Sequence, residues 1–191
     1  MNATTINHDD QPRWLKSSCA IAGKKVKNMA VRRQATLYLP KIQGATIERL
    51  RAQYNPAQAA LIRAHITLCR EDEVDDWDDL ADRIRALATI DIDLFFGQPI
   101  RNANLVYLPT AGATGPFDSL RELLLSRGNS HPRKHDPHLT LIHPRNGICT
   151  AEIFAALTAE INPMAVNFKE ITLIEQTDGG AWRNLQSFGE S

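Results

Sequence analysis

The chain has 191 residues, 43% of them hydrophobic and 23% charged, with 22 basic against 22 acidic side chains and a formal net charge of zero. That length and apolar content suffice for one buried core and exclude a wholly disordered chain, and no apolar run approaches the length that spans a bilayer. Charge is unevenly placed: Gln11 to Ile47 holds eight Lys or Arg and no acid, whereas Glu71 to Asp93 holds ten acids against Arg83 and Arg85, so any electrostatic partner is met locally.

In chain order, residues 1–33 lack apolar periodicity and are rich in basic side chains, which reads as a flexible extension, with Met29 a conceivable start and Lys24, Lys25 and Lys27 able to attract nucleic acid. Residues 34–191 read as one domain. Ala35 to Pro40 is a strand stopped by proline, and Thr46 is placed to cap a helix through Ile47, Leu50 and Tyr54, closed by Asn55-Pro56. A strand follows from Leu61 to Cys69. Trp77, Leu80, Ala81, Ile84, Leu87 and Ala88 then form an apolar stripe on a helix whose Asp-rich face is solvated. Ile90 to Phe96 and Asn104 to Leu108 are strands joined through Gly97-Gln98-Pro99. A helix begins near Pro116, presents Leu120, Leu123 and Leu124, and stops at Gly128. After a strand at His138 to Ile142, Thr150 caps a helix ended by Asn162-Pro163, Val166 to Gln176 is a strand, and an Asp178-Gly179-Gly180 turn leads to a last strand from Ala181 to about Phe188.

The order of elements repeats. Leu105-Val106-Tyr107-Leu108-Pro109 echoes Thr36-Leu37-Tyr38-Leu39-Pro40, and His138-Leu139-Thr140-Leu141 repeats His65-Ile66-Thr67-Leu68. The expected fold is therefore α+β: two copies of a strand-helix-strand-helix-strand unit, bilobal and pseudo-twofold, with antiparallel sheets lining a central cleft and helices outside. Strand alternation puts His65 with Thr67, and His138 with Thr140, on one face.

Histidine titrates near neutrality, so two imidazoles facing one cleft can serve as base and acid together, as a phosphodiester requires. Two threonine hydroxyls can donate to non-bridging phosphoryl oxygens. Either motif alone is more often structural, but an imidazole is costly to bury unpaired, and a duplicated pair is a poor choice for packing. By the same alternation Cys69 shares the His65 face, with a small strand filler as its plainer role. Cys19, Cys69 and Cys149 are odd in number and lack metal-type spacing, which suits reduced thiols in the cytoplasm.

On these residues the chain resembles the two-histidine (2H) phosphoesterase superfamily, whose hallmark is a pair of His-x-Thr/Ser-x motifs with x hydrophobic. Pro137 precedes the second motif as in many members of the RNA ligase T type, and the resemblance runs from Ala35 to about Phe188. It implies metal-independent, cofactor-free hydrolysis or transfer at RNA 2′,3′ positions, such as opening a 2′,3′-cyclic phosphate, by a monomer acting on RNA ends or small nucleotides and not on membranes. It makes His65 and His138 the catalytic pair and Thr67 and Thr140 phosphate ligands. Arg70 and Arg145 are further phosphate candidates, although alternation turns position 70 and its counterpart His143 away from the cleft. Tyr38 and Tyr107, at equivalent positions, and His135 are candidate base-stacking residues. A metal held by His131, His135, His138 and His143 is disfavoured, because Pro132 and Pro137 prevent a helical His pair. Two rivals remain: 2′-5′ RNA ligation, the reverse chemistry, and a non-catalytic nucleotide or RNA binder.

Overall fold

The structure is a computed structural model that describes residues 30–126 and 132–190. The extension up to residue 29, with its lysines, and also Gly128 and His131, lie outside the described residues. Val31, Arg32 and Arg33, expected to belong to that extension, instead open the first strand, β1 (Val31–Tyr38). They do so because the far end of the chain pairs with them, Val31 opposite Thr177 and Arg33 opposite Glu175. The long-range partner, absent from local periodicity, sets the boundary.

Helix α1 (Lys41–Tyr54) starts one turn before the expected Thr46 cap. Pro40 occupies the cap position without a side-chain bond, and its carbonyl accepts the Gly44 N–H at 2.7 Å. Asn55-Pro56 closes α1 as the sequence requires, but Pro56 also supplies the first residue of a second helix, α2 (Pro56–Leu61), its fixed φ being suited to a helix start. The next strand is accordingly short, β2 (His65–Arg70). Helix α3 (Trp77–Arg85) is capped by Asp76, whose carboxylate accepts from the Asp78 and Asp79 N–H groups.

Strands β3 (Ile92–Phe96), β4 (Ile100–Asn102) and β5 (Leu105–Pro109) follow, then α4 (Gly115–Leu125), β6 (His138–Ile142) and α5 (Ala151–Glu160). Thr150 caps α5 as expected, accepting from the Ile153 N–H at 3.3 Å. β4 was not foreseen: its partner is β5, across a tight turn with Ala103 at φ 52°. The single strand expected from Val166 to Gln176 is two, β7 (Met164–Phe168) and β8 (Glu170–Thr177), broken at Lys169 because the two parts join different sheets. The turn at Asp178 and Gly179, with φ 51° and 73°, leads into β9 (Arg183–Gly189).

All strand pairings are antiparallel. They form a four-stranded sheet in the order β2-β1-β8-β9, a two-stranded sheet β3-β7 and a three-stranded sheet β4-β5-β6. The first sheet joins strands from both ends of the chain, and one contiguous core runs through all three, from Ala35 and Leu37 through Phe96, Phe117 and Leu139 to Phe168 and Phe188. Burying these side chains stabilises the fold by roughly 1.5–3 kcal/mol for each large one. Among the described residues no helix is long and apolar enough to cross a membrane.

Candidate active site

The two motif strands have the same burial pattern. In β2, His65 and Thr67 are half-buried while Ile66 and Leu68 are sealed in the core, and in β6 His138 and Thr140 are half-buried over Leu139 and Leu141. This is the expected alternation. The edge strands β2 and β6 lie against one another, which brings the two His-Thr faces into one neighbourhood.

After each motif the alternation breaks. Thr67 pairs with Thr36 and Cys69 with Ala35, so Leu68 is an extra residue; Thr140 pairs with Tyr107 and Ile142 with Val106, so Leu141 is its counterpart. Each motif therefore ends in a β-bulge at its leucine. The consequence corrects two expectations. Cys69 does not share the His65 face: it sits opposite core residue Ala35, fully buried, its thiol pushed up to about 12 by burial. Arg70, opposite Gln34, returns to the Thr67 face instead of turning away, and past Ile142 the same alternation carries His143 to the Thr140 face. Arg70 is exposed and pairs with Asp72 at 3.3 Å. Arg145 is exposed, and its backbone N–H donates to His143 Nδ1 at 3.1 Å.

The imidazoles are oriented alike. His65 Nδ1–H donates to the Arg63 carbonyl at 2.8 Å, and His138 Nδ1–H donates to the Asp136 carbonyl at 2.9 Å. A carbonyl can only accept, so each neutral ring keeps its proton on Nδ1 and its lone pair on Nε2. The segment before His65 is held by α1, where Glu48 accepts from the Ala64 N–H at 2.8 Å and buried Arg51 donates to the Ile62 carbonyl at 2.8 Å. Burial lowers the His65 pKa to about 4; the bond to Arg63 opposes this, and the charges of Arg51 and His138 add to the lowering. Thr67 Oγ1 donates weakly to Gln34 Oε1 at 3.5 Å.

The aromatic candidates fall differently. Tyr38 lies opposite His65 in the ladder, with ring centroids 6.3 Å apart; the Arg63 guanidinium stands over one face of its ring at 4.8 Å, and its hydroxyl donates to Asn184 Oδ1 at 3.3 Å. Tyr107 lies opposite Thr140, not opposite His138, so the two tyrosines are not in equivalent register. Its ring nonetheless meets His138 edge-on, with centroids 5.4 Å apart. His135 lies between Phe117 and His138, with ring centroids 6.2 and 5.8 Å away. His135 is half-buried, its Nε2 has no hydrogen-bond partner among the described residues, and burial lowers its pKa to about 4. Among the described residues no three His, Cys, Asp or Glu side chains converge as a metal site.

Sequence reasoning missed the clamp on the first bulge. Glu73, fully buried, accepts from Arg121 Nη2 at 2.6 Å, from the Arg70 N–H at 3.0 Å and from the Arg133 N–H at 3.0 Å. Arg121, on α4, also donates to the Leu68 carbonyl and to the Arg133 carbonyl. Burial pushes the Glu73 pKa up, but these bonds outweigh it and hold the carboxyl below its usual range. The turn after the second motif is built the same way, Asn146 N–H closing on the His143 carbonyl as Glu73 N–H closes on Arg70, both at 3.0 Å. It is clamped by α2 and the α1–α2 junction: Asn146 donates to Gln58 Oε1 at 2.6 Å, and the buried Asn55 amide donates to the Asn146 carbonyl and accepts from the His143 N–H. Gly147 packs so closely that a Cβ there would stand 2.8 Å from the Asn55 side-chain amide.

Comparison with known proteins bears on this arrangement. The family model described as the 2′-5′ RNA ligase superfamily matches residues 39–180. No curated protein matches the chain significantly. Among solved structures, that of Escherichia coli LigT in apo form is similar with a TM-score of 0.57 at 19% identity, covering 85% of this chain and 99% of LigT. LigT complexed with 3′-AMP gives 0.55 at 18% identity, covering 84% and 98%. A structure described as a phosphoesterase gives 0.57 at 17% identity, covering 85% and 99%. At such identities the likeness is one of fold.

Proposed function

The chain belongs to the 2′-5′ RNA ligase superfamily, and from that premise we propose that it is a metal-independent phosphodiesterase opening 2′,3′-cyclic phosphates or cleaving 2′-5′ linkages at RNA ends or on nucleotides. The observation that carries this reading is the repeated geometry: two His-Thr pairs on adjoining strands, each imidazole tied through Nδ1–H to a carbonyl two residues upstream, each leaving Nε2 for a substrate. The LigT complex with 3′-AMP is a precedent for a nucleotide on this fold. We read the chain from Val31 onward as one duplicated, pseudo-twofold domain with a central cleft between its halves. The matching bulges at Leu68 and Leu141 and the matching turns behind them support that reading.

His65, its pKa lowered to about 4, is neutral at pH 7 and takes the proton of the attacking water. His138 then delivers a proton to the departing ribose oxygen. Thr67 and Thr140 donate to the non-bridging oxygens as charge gathers there. Arg70, re-aimed by the bulge, and Arg145 supply the compensating positive charge. A screen of nucleoside 2′,3′-cyclic phosphates, with the regiochemistry of the opened product read by NMR, tests the whole reading; turnover of none of them would discard it.

The pH profile follows from the His65 environment. Log kcat/KM on a cyclic mononucleotide is expected to stay level as pH falls through 6.5 and to bend down near pH 4. A bend near 6.5, with the fold intact by circular dichroism, would place the base elsewhere. The same shift bears on stability. The folded-state pKa of His65 lies below the ordinary 6.5 of the unfolded chain, so its contribution is present above 6.5 and is lost as pH falls from 6.5 toward 4.

Replacing one hydroxyl, Thr67→Val or Thr140→Val, is expected to lower kcat by roughly tenfold to a thousandfold, the range for a single transition-state donor, with KM little changed. A KM effect alone would make the threonines ground-state ligands.

A further inference from the structure

Arg32 lies outside both motifs, yet it belongs to their face. Along β1, Arg32, Gln34 and Thr36 share one side by alternation, and Thr36 is the ladder partner of Thr67. Arg32 and Thr36 are four positions apart, about 13 Å along the strand. Neither Arg32 nor any residue beside it is needed for the proton transfers described above.

Over Arg32 stands Trp182, the guanidinium carbon 5.5 Å from the ring centroid. Both members of this stack are fixed. Arg32 Nε donates to Glu71 Oε1 at 2.8 Å, and the Trp182 backbone N–H donates to the Leu61 carbonyl at 2.8 Å. The hairpin that carries Trp182 is pinned to the start of β1 by Asp178, whose N–H donates to the Ala30 carbonyl at 2.9 Å and whose carboxylate accepts from the Ala30 N–H at 3.0 Å. Gln176, opposite Arg32 in the ladder, tightens the hairpin by donating to the Gly180 carbonyl at 2.7 Å. Trp182 is half-buried and Arg32 remains about one-third exposed, so the pair is accessible as well as rigid.

The end of the second motif reaches the same place. His143 is near enough to Arg32 and Arg145 that both guanidinium charges act on its ring, and because its Nδ1 accepts the Arg145 N–H, its Nε2 carries the proton and is a donor. An indole with a guanidinium over it, and a second guanidinium and an imidazole N–H at the end of the second motif, match the chemistry of a nucleic-acid strand, which offers flat bases and anionic phosphates in turn.

We propose that Arg32 and Trp182 form a second subsite on this face, which stacks the base and pairs the phosphate of the nucleotide next to the terminal one, so that the protein selects the ends of RNA oligomers over mononucleotides. The proposal rests on the phosphodiesterase reading for the meaning of the terminal position, but its test needs no turnover. Binding of a labelled triribonucleotide ending in a 3′-phosphate is measured by fluorescence anisotropy on the full chain, and binding of 3′-AMP by calorimetry. Wild type is expected to bind the trinucleotide more tightly. Trp182→Ala should weaken the trinucleotide roughly tenfold to a hundredfold, the range for losing one stacked base, and leave 3′-AMP unchanged, with Trp182→Phe recovering most of the loss. Should the alanine variant fail to fold, Trp182→Leu keeps apolar bulk without the aromatic face and serves in its place. Equal affinity of wild type for both ligands, no effect of the variants, or a parallel loss on both ligands would overturn the subsite. Failure to turn over any cyclic phosphate would instead overturn the phosphodiesterase reading and leave these affinities as they stand.

Discussion

Removing either imidazole, by His65→Ala or His138→Ala, is expected to lower turnover of a nucleoside 2′,3′-cyclic phosphate by about a hundredfold to ten-thousandfold, because each ring carries one half of the proton traffic. The double variant should be little worse than the poorer single one, since residues that act as a unit are not additive. Both side chains are half-buried, and among the described residues each hydrogen-bonds through Nδ1 to a local carbonyl alone, so denaturant midpoints should move far less than rates. If either single variant keeps near-normal kcat, the two-histidine mechanism fails. The variants should differ in one respect: the low-pH bend assigned to His65 should vanish in His65→Ala and persist in His138→Ala.

The second large effect is on stability. Glu73→Ala should destabilise the fold by about 3–5 kcal/mol, the range for leaving one member of a buried ion pair without its partner. Arg121 would keep its charge in a site where its side chain is only 7% exposed, and the Arg70 and Arg133 N–H groups would lose their acceptor. A domain of this kind has about 5–15 kcal/mol in total, so the variant would stand near the edge of folding at 25 °C. Urea titration reads the loss. The pair Glu73→Leu with Arg121→Met should recover much of it, because two apolar side chains of similar size leave no orphaned charge. A Glu73→Ala midpoint equal to wild type would show that the clamp is solvated and of no account.

What could be read from the sequence follows from what is local. The His-x-Thr-Leu alternation, the Thr150 cap and the Asp178-Gly179 turn depend on neighbours within a few residues, and each stands where the residue types put it. The bulges at Leu68 and Leu141 depend on which residue of β1 or β5 each motif strand meets, and no periodicity within β2 or β6 announces that. Alternation alone therefore aimed Cys69 and Arg70 at the wrong faces. Glu73 is one acid within a run of ten, with nothing local to set it apart; only the arrival of Arg121 from α4 makes it a buried anchor. Trp182 looked like an ordinary residue of a last strand, and its place over Arg32 needs the pairing of β8 with both β1 and β9.

The crossed clamps also dictate an order of events as the chain leaves the ribosome. The turn behind the first motif waits for Arg121 and Arg133, synthesised some fifty to sixty residues later, and β1 waits for β8, which emerges near the end. The turn behind the second motif, by contrast, finds Asn55 and Gln58 already made. The half made first is thus the half finished last. Strand β1 keeps one edge unpaired until β8 is made, and the turn behind the first motif lacks its ion-pair partner until α4 is made.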